Sequence, residues 1–389
     1  MSSPGFLLFL LSLGHFCTDF IQGALPALLP FLKDRFQLSY AAAGMLLMAA
    51  HMTSSVVQPI FGYFTDRRPF PFLLPLGLLV SGAGLALVPF APSIGWLLAF
   101  VVFMGLGTAA FHPEGFKATA CIVSEKRATG MSLFSLGGNL GMGFGGPAAI
   151  WLVARYGLHG ATALIAPAVV TALLFLQALP VIRERVASAS VGERRTAVNA
   201  AERPFYTVFL LILIVVLRSW THLGLATYIP FIYRAQLATD PGYVATLLLF
   251  FLGAGTLGTV VGGPLADRIG HRRFLFASVA LTIPLIYLFL HSTGWLVFAM
   301  AALTGGTIIS SFSVSIVMAQ ELFPKRLATA SGAIAGFAIG TGGIGVTLLG
   351  AVADRYGIPS AMLLVNAFPV AGALVALLLP LPWKPSRAS

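Results

Sequence analysis

The motif Gly62-Tyr63-Phe64-Thr65-Asp66-Arg67-Arg68 returns about two hundred residues later as Gly263-Pro264-Leu265-Ala266-Asp267-Arg268. Each copy follows a long apolar run and is soon followed by another. Arg155-Tyr156-Gly157 recurs in the same way as Arg355-Tyr356-Gly357. Two repeated motifs at nearly equal separations predict that the chain consists of two homologous halves joined in tandem.

The composition places most of the chain in a membrane. Hydrophobic residues make up 58% of it and charged residues 9%, with a mean hydropathy of +0.93, whereas a soluble domain is about 45–50% apolar and about 25% charged. The apolar runs are about 20 residues long and do not alternate with polar residues, which predicts helices rather than strands. The sequence therefore predicts an all-α membrane protein.

Other function classes fit the composition poorly. The net charge of +11 is spread over short loops, so no nucleic-acid partner is expected. Cys17 and Cys121 are two isolated thiols, which offer neither a disulfide framework nor a metal cluster. No metal or other cofactor is therefore expected.

We predict twelve transmembrane helices in two pseudo-symmetric bundles of six: an N-terminal bundle (1–182), a polar cytoplasmic linker (183–204) that is flexible or interfacial, and a C-terminal bundle (205–389). The predicted spans are 6–32, 40–64, 71–91, 94–121, 128–154, 160–180, 205–233, 243–266, 274–291, 294–321, 328–352 and 358–381.

The distribution of Lys and Arg predicts the orientation. With the N-terminus inside, the cytoplasmic loops and tail carry sixteen of these residues and the outside loops five. Cytoplasmic loops of membrane proteins are enriched in Lys and Arg. Both termini are therefore predicted to be cytoplasmic.

Each copy of the repeated motif stands at the cytoplasmic end of a predicted span. The glycine permits a close helix contact, and the aspartate can bind an arginine or the N-terminus of a nearby helix. The alternative is a charge cluster that only anchors a loop, but two copies at equivalent positions favour a gate. The candidate gating residues are Gly62, Asp66, Arg67, Gly263, Asp267 and Arg268.

Span 5 is rich in glycine from Gly137 to Gly146 and ends this stretch with Pro147. Glycines weaken a helix but allow backbones to pack closely, and a proline can kink it. Span 11 repeats the glycines but not the proline, so the glycine-proline ending occurs in span 5 alone. We therefore take Gly146 and Pro147 as the candidate packing motif.

Ionisable residues inside spans are the main functional signal, because each costs at least about 2.5–3.5 kcal/mol near the bilayer centre. His15 and Asp19 share a face of span 1, where an imidazole beside a carboxylate can accept and pass a proton. Arg218 and His222 repeat this spacing in span 7. Each histidine alone could be structural, but the two aligned pairs favour a polar cavity.

A second polar stretch, Phe111 to Lys117, includes Pro113 and predicts a broken helix in span 4. His112 and Glu114 lie within it. Glu114 and Lys117, three residues apart, either neutralise each other or leave Glu114 free to carry a proton.

Together these residues resemble the major facilitator superfamily over the whole chain. Three stretches resemble its fosmidomycin-resistance branch of proton-coupled drug exporters: Gly14–Gln22, Phe111–Glu114 and Arg218–Trp220. Gln58-Pro59 and Gly137-Gly138-Asn139 also match. The resemblance implies drug export in exchange for protons across a bacterial inner membrane.

Our hypothesis is an alternating-access transporter rather than an enzyme, acting as a monomer on a small molecule. Protons would bind at Asp19, Glu114, His15 and His112. Gln22, Lys117, Asn139, Arg218 and His222 would contact the substrate, with Arg218 and Lys117 facing an anionic group. A proton-coupled symporter for a sugar or organic acid is the nearest alternative, followed by a lipid-moving or sensory protein. An intramembrane enzyme is disfavoured because no zinc motif or activated nucleophile is present.

The first copy of the motif lacks the later glycine that the second copy has at Gly270. This departure from the family pattern predicts that the first gate is looser.

Overall fold

The computed structural model describes residues 3–38, 40–123, 125–196, 204–236 and 241–380. The described residues of the first half are almost entirely helical. Their helices are α1 (Pro4–Phe36), α2 (Tyr40–Val56), α3 (Gln58–Arg67), α4 (Leu73–Leu87), α5 (Ile94–Ile122), α6 (Arg127–Tyr156) and α7 (Ala166–Thr196), with 3-10 turns at Val88–Phe90 and Leu158–Ile165.

The second half repeats this order, and no strand occurs in the described part of the chain. Its helices are α8 (Pro204–Gln236), α9 (Pro241–Ile269), α10 (His271–His291), α11 (Leu296–Ser310), α12 (Phe312–Leu322), α13 (Leu327–Gly340), α14 (Gly342–Tyr356), α15 (Ile358–Val365) and α16 (Ala367–Leu377). The predicted all-α class is confirmed.

Eleven helices within the described ranges are long and apolar enough to cross a membrane. The one predicted span that is not among these eleven is span 5, which corresponds to α6 and is 30 residues long. Its seven glycines, two serines and Asn139 lower its mean hydropathy. The protein is therefore a multi-pass membrane protein, and α6 is the predicted span that lies outside these eleven.

The prediction of a broken span 4 is wrong, because α5 runs through Pro113 without interruption. A proline frees one carbonyl of the helix, and membrane helices tolerate this where neighbouring groups and small local adjustments satisfy it. Breaks occur instead at Val57, Ser311, Thr341 and Asn366, in spans 2, 10, 11 and 12. Span 10, the counterpart of span 4, is thus the broken one.

The helices bury one apolar face and expose another. In α1, Leu7 and Leu11 are 0% exposed, whereas Phe9 between them is 63% exposed. Exposed apolar side chains are what lipid-facing helices present, because lipid tails are as apolar as the side chains themselves.

The glycines of α6 allow its backbone to pack directly on α1. A Cβ at Gly137 would lie 2.0 Å from the carbonyl oxygen of Ser12, and one at Gly141 would lie 2.1 Å from that of Phe16. Gly146 is different, since a Cβ there would be 3.6 Å from its nearest neighbour. The close packing therefore depends on the glycines before Gly146, and Pro147 continues the same helix.

The described residues group into two compact units. Unit 1 comprises Met1–Ser124, Leu133–Ala197 and Phe323–Gly336, and unit 2 comprises Glu125–Ser132, Val198–Leu322 and Phe337–Ser389. Each unit therefore includes the start of one helix from the other half of the sequence. The predicted boundaries at residues 182 and 205 stay a prediction.

The segment predicted as a linker, 183–204, continues α7 as far as Thr196. Residues 197–203 lie outside the described part of the chain.

Candidate functional site

Three titratable side chains meet inside unit 1, and we call them the His–Asp–His cluster. Asp19 Oδ2 lies 3.3 Å from His15 Nε2, and Asp19 Oδ1 lies 3.1 Å from His112 Nε2. Both histidine side chains are 6% exposed and the aspartate is 13% exposed. One carboxylate of α1 therefore sits between an imidazole of its own helix and one of α5.

The other ring nitrogen of each histidine faces a backbone carbonyl. His15 Nδ1 lies 2.9 Å from the oxygen of Phe134, and His112 Nδ1 lies 3.0 Å from that of Thr108. A carbonyl can only accept a hydrogen bond, so both Nδ1 atoms carry hydrogen. Each Nε2 is then either protonated, in a charged ring, or bare, in a neutral one.

This assignment determines what the cluster can hold. If both Nε2 atoms were unprotonated and Asp19 were ionised, the lone pair of each Nε2 would face a lone pair of an Asp19 carboxylate oxygen. A proton in each contact removes the repulsion. The cluster can therefore accommodate two protons, one beside each oxygen of Asp19, and its net charge then changes from −1 to +1.

Apolar rings and one glycine shape the surroundings of the cluster. The ring of His15 stacks on Phe134 with centroids 4.2 Å apart, and the edge of Phe116 approaches it at 5.9 Å. A Cβ at Gly138 would lie 2.5 Å from His15 Nε2 and 2.6 Å from Asp19 Oδ2. Only glycine at this position leaves room for the cluster as it stands.

The ligand atoms of the cluster lie within 4.8 Å of one another, a spacing that a metal ion could also use. The expectation that the protein has no metal site therefore stays a prediction.

Glu114 and Lys117 lie on the same helix and form a long ion pair. Glu114 is 0% exposed, and the nearest distance between the two charged groups is 3.7 Å. Lys117 Nζ instead donates to the backbone oxygen of Thr65 at 2.7 Å. Neither carboxyl oxygen of Glu114 has a hydrogen-bond partner among the described residues. The two groups therefore form an ion pair without a direct hydrogen bond, and the role of Glu114 as a proton carrier stays a prediction.

The remaining candidates of unit 1 are polar and at least partly buried. Gln22 is 5% exposed and donates to Ser54 Oγ at 3.2 Å. Asn139 follows Gly138 on α6 and is half-buried. Gln22 lies three residues after Asp19 on α1, and Asn139 adjoins the glycine that packs against the cluster.

Arg218 and His222 lie in unit 2. Arg218 is 7% exposed, donates to the carbonyl of Ile308 at 3.4 Å and lies 5.0 Å from the ring centre of Phe312. His222 stacks on Phe251 with centroids 5.5 Å apart. Arg218 also lines a narrow pocket formed by residues of α8, α10, α11 and α16, with Ser311 at the break between α11 and α12.

Asp66, from the first copy of the repeated motif, caps the start of α13. Its carboxylate accepts hydrogen bonds from the backbone nitrogens of Ala328 and Thr329 at 3.0 and 2.8 Å, and from Thr329 Oγ1 at 2.7 Å. A Cβ at Gly62 would lie 2.6 Å from the backbone of Ala328. The glycine thus permits the approach, and the helix N-terminus attracts the anion.

Asp267, from the second copy, caps α6 in the same way. It accepts from the backbone nitrogens of Ala128 and Thr129 at 3.2 and 2.9 Å, and from Thr129 Oγ1 at 2.6 Å. A Cβ at Gly263 would lie 2.5 Å from the oxygen of Ala128 and 2.4 Å from Ser132 Oγ. The arginines that follow the two aspartates, Arg67 and Arg268, are exposed.

The second cap has an additional partner. His271 Nε2 lies 3.3 Å from Asp267, and His271 Nδ1 lies 3.1 Å from Glu321. Phe70 stands at the equivalent place in the first copy. The preceding residue also differs: Gly270 adopts φ +95°, a conformation that Pro69 in the first copy cannot reach.

Several functional candidates were not identified from the sequence. The sequence indicates only a packing role for Gly138 and gives no role to His271 or Glu321. The spacing of Asp267 and His271, four residues apart, was a usable signal for a shared helix face. Nothing local in the sequence indicates that Gly138 lies against His15.

A twelve-span layout of two homologous halves, with buried ionisable groups and a capping motif repeated in each, defines a secondary transporter of the major facilitator fold. The family model of the Major Facilitator Superfamily matches residues 11–256 and 225–389. The chain belongs to this superfamily.

Two relatives match over nearly the whole chain. An uncharacterised MFS-type transporter, YfnC, of Bacillus subtilis (strain 168) is 33% identical over 386 residues, covering 96% of this chain and 92% of the relative. The fosmidomycin resistance protein of Escherichia coli (strain K12) is 30% identical over 375 residues, covering 95% and 91%. The predicted resemblance to that branch is confirmed.

Solved structures share the fold at low identity. The proton:xylose symporter XylE has a TM-score of 0.75 at 14% identity, covering 97% of this chain and 96% of that one. FucP in the outward conformation has a TM-score of 0.67 at 15% identity, covering 96% and 99%. The family and these neighbours are transporters, not enzymes.

Proposed function

We propose that this protein is a proton/drug antiporter that exports a small anionic compound by alternating access. It acts as a monomer in a bacterial inner membrane, with both termini in the cytoplasm. The proton gradient supplies the energy, and no cofactor is required.

The observation that carries the proposal is the His–Asp–His cluster. Its two backbone-fixed tautomers leave both Nε2 atoms facing Asp19, so the cluster can gain or lose two protons without any movement of the backbone. A buried charge that changes from −1 to +1 alters the balance between two conformations of a membrane protein, because an uncompensated charge is costly there.

Glu114 gives the protons a second acceptor. Its charge is balanced by Lys117 at 3.7 Å, and Lys117 also binds the carbonyl of Thr65, next to Asp66. Protonation of Glu114 removes one partner of Lys117. Because Lys117 also binds the carbonyl of Thr65, this loss affects the neighbouring residue Asp66, which caps α13. Lys117 therefore couples proton binding at Glu114 to opening of the first gate.

The cargo is assigned from charge and from one relative. Arg218 is a buried cation suited to a carboxylate or phosphonate, with Gln22, Lys117, Asn139 and His222 as further candidate contacts. The 30% identical relative is a fosmidomycin resistance protein, which favours export of a drug. Antiport and an anionic cargo together explain why both acids and a buried arginine are present.

The alternative is a proton-coupled symporter for a sugar or organic acid. The solved neighbours XylE and FucP are proton symporters of sugars, although identities of 14–15% carry the fold alone. The same buried acids would serve a symporter, so the direction of coupled flux separates the two functions.

The test uses purified protein in liposomes that contain a pH-sensitive dye, with fosmidomycin and small phosphonates as first compounds. Antiport predicts that protons leave the lumen as the compound enters, whereas symport predicts that both move together. Asp19→Asn should abolish gradient-driven transport and retain counterflow exchange. Equal gradient-driven rates in the variant and the parent would contradict the role of Asp19.

A further inference from the structure

The pocket beside Arg218 lies wholly within unit 2 and contains a cation that has no acidic partner among the described residues. Arg218 is 7% exposed, and its single hydrogen bond among the described residues goes to the carbonyl of Ile308. Its Nε has no hydrogen-bond partner in the described part of the chain. A guanidinium has five N–H donors, so most of its capacity remains unused.

Burial makes this arrangement unfavourable unless an anion is present. No carboxylate pairs with Arg218 among the described residues, and its side chain is buried. An isolated charge is strongly disfavoured in a low-dielectric interior, whereas a charge with a partner and hydrogen bonds is tolerated. The phenyl ring of Phe312 offers only a weak cation–π contact in compensation.

The pocket wall supplies further donors. Five hydroxyl-bearing residues line it together with Arg218: Thr221, Ser278, Thr282, Thr307 and Ser311. Ser278 and Thr282 donate to carbonyls of their own helix at 2.9 and 2.8 Å, and Ser311 does so only at 3.5 Å. A hydroxyl bound to a carbonyl one turn earlier can rotate toward a stronger acceptor.

We propose that this pocket binds a small anion, held by the Arg218 guanidinium and by the hydroxyls of Thr307 and Ser311. The pocket is narrow, with room for about one water-sized group. A halide ion is a single sphere somewhat larger than a water molecule, whereas a carboxylate or phosphonate would enter with one oxygen and leave its apolar part against Phe368. If the anion is the exported compound, this inference rests on the proposed function; if it is a resident halide, it does not.

The two sources of the anion are distinguished by the choice of probe. The thermal unfolding of purified full-length protein is measured in sodium gluconate, whose carboxylate bears a long hydroxylated chain that does not match the apolar wall at Phe368, while chloride, acetate or methylphosphonate is titrated at constant ionic strength. Binding to the folded state raises the melting temperature in a saturable way. Saturation by chloride alone identifies a resident halide, and saturation by acetate or methylphosphonate identifies the head group of a cargo.

Matched variants locate the effect. Thr307→Val should weaken the apparent affinity about tenfold, the usual consequence of losing a hydrogen bond to a charged group, and Arg218→Gln should abolish saturation. Thr304→Val is the control: it lies one turn away on α11, is 0% exposed, and donates to the carbonyl of Met300 at 2.6 Å without lining the pocket.

The proposal is overturned if no probe gives a saturable shift in the parent, or if Thr307→Val and Arg218→Gln behave like the parent. Thr307→Val removes no charge, so it keeps the test valid if Arg218→Gln does not fold. The assay involves no proton gradient. Failure here with intact Asp19-dependent transport therefore removes the anion pocket alone and leaves proton coupling standing.

Discussion

Lys117 Nζ donates a 2.7 Å hydrogen bond to the backbone oxygen of Thr65, the residue that precedes Asp66. The same ammonium group lies 3.7 Å from Glu114. One buried cation therefore contacts both a candidate proton carrier and the segment that caps α13. We infer that Lys117 connects the proposed proton acceptor Glu114 with the first cap.

A double-mutant cycle tests that connection. Lys117→Met leaves the carboxyl group of Glu114 without its cation and should lower stability by about 3–5 kcal/mol. Adding Glu114→Gln removes the unpaired group, so the double variant should recover most of the loss. Thermal unfolding of the parent, both single variants and the double variant measures the coupling. Strictly additive losses would show that the two side chains act independently.

Gly138→Ala should disable the His–Asp–His cluster. The added methyl group would lie 2.5 Å from His15 Nε2 and 2.6 Å from Asp19 Oδ2, so one of the two side chains has to move. We expect gradient-driven transport in liposomes to fall at least tenfold, about the effect of misplacing a reacting group by an ångström.

Gly143→Ala is the matched control for this variant. It lies on the same helix, and a Cβ there meets nothing within 4 Å. It should transport like the parent and gain up to about 1 kcal/mol in helix stability. If Gly143→Ala reduces transport as much as Gly138→Ala does, the effect comes from the helix and not from the cluster.

The two aspartate caps should fail separately. Asp66→Ala removes three hydrogen bonds from the start of α13, and Asp267→Ala removes three from the start of α6. Each substitution should cost about 0.5–2 kcal/mol. Hydrogen exchange followed by mass spectrometry should show faster exchange at 328–329 in the first variant and at 128–129 in the second.

The informative result is whether each substitution speeds exchange only in the helix that its aspartate caps. Each variant serves as the control of the other, because Asp66 caps α13 and Asp267 caps α6. Faster exchange in both segments in each variant would mean that the caps open together. Unchanged exchange in the targeted segment would show that the aspartate does not hold that helix.

Arg218→Ala should discriminate between cargoes by their charge. Transport of a phosphonate should lose far more than transport of a neutral analogue of similar size, because hydrogen bonds between two charged groups are about twice as strong as neutral ones. Competition by each compound in a counterflow assay gives the two affinities. A similar loss for both compounds would assign Arg218 a structural role.

The sequence alone predicted the length and apolar character of the spans and the duplication of the motif. It also predicted the two pairs with i,i+4 spacing, His15 with Asp19 and Arg218 with His222. These features depend on local chemistry: an apolar run of about 20 residues spans a bilayer as a helix whatever surrounds it. The presence of His15 and Asp19 on one face of α1 follows from helix geometry alone.

The contacts between distant residues required the tertiary structure. His112 completes the cluster from another helix, and Asp66 reaches Thr329 across 263 residues of sequence. Pro113 was expected to break its helix, yet α5 continues through it. Such outcomes depend on which helices pack together and how closely. Gly62 and Gly138 permit close contacts because they have no side chain that would occupy the space. Local pattern determined the helices, and packing between helices decided which polar groups meet.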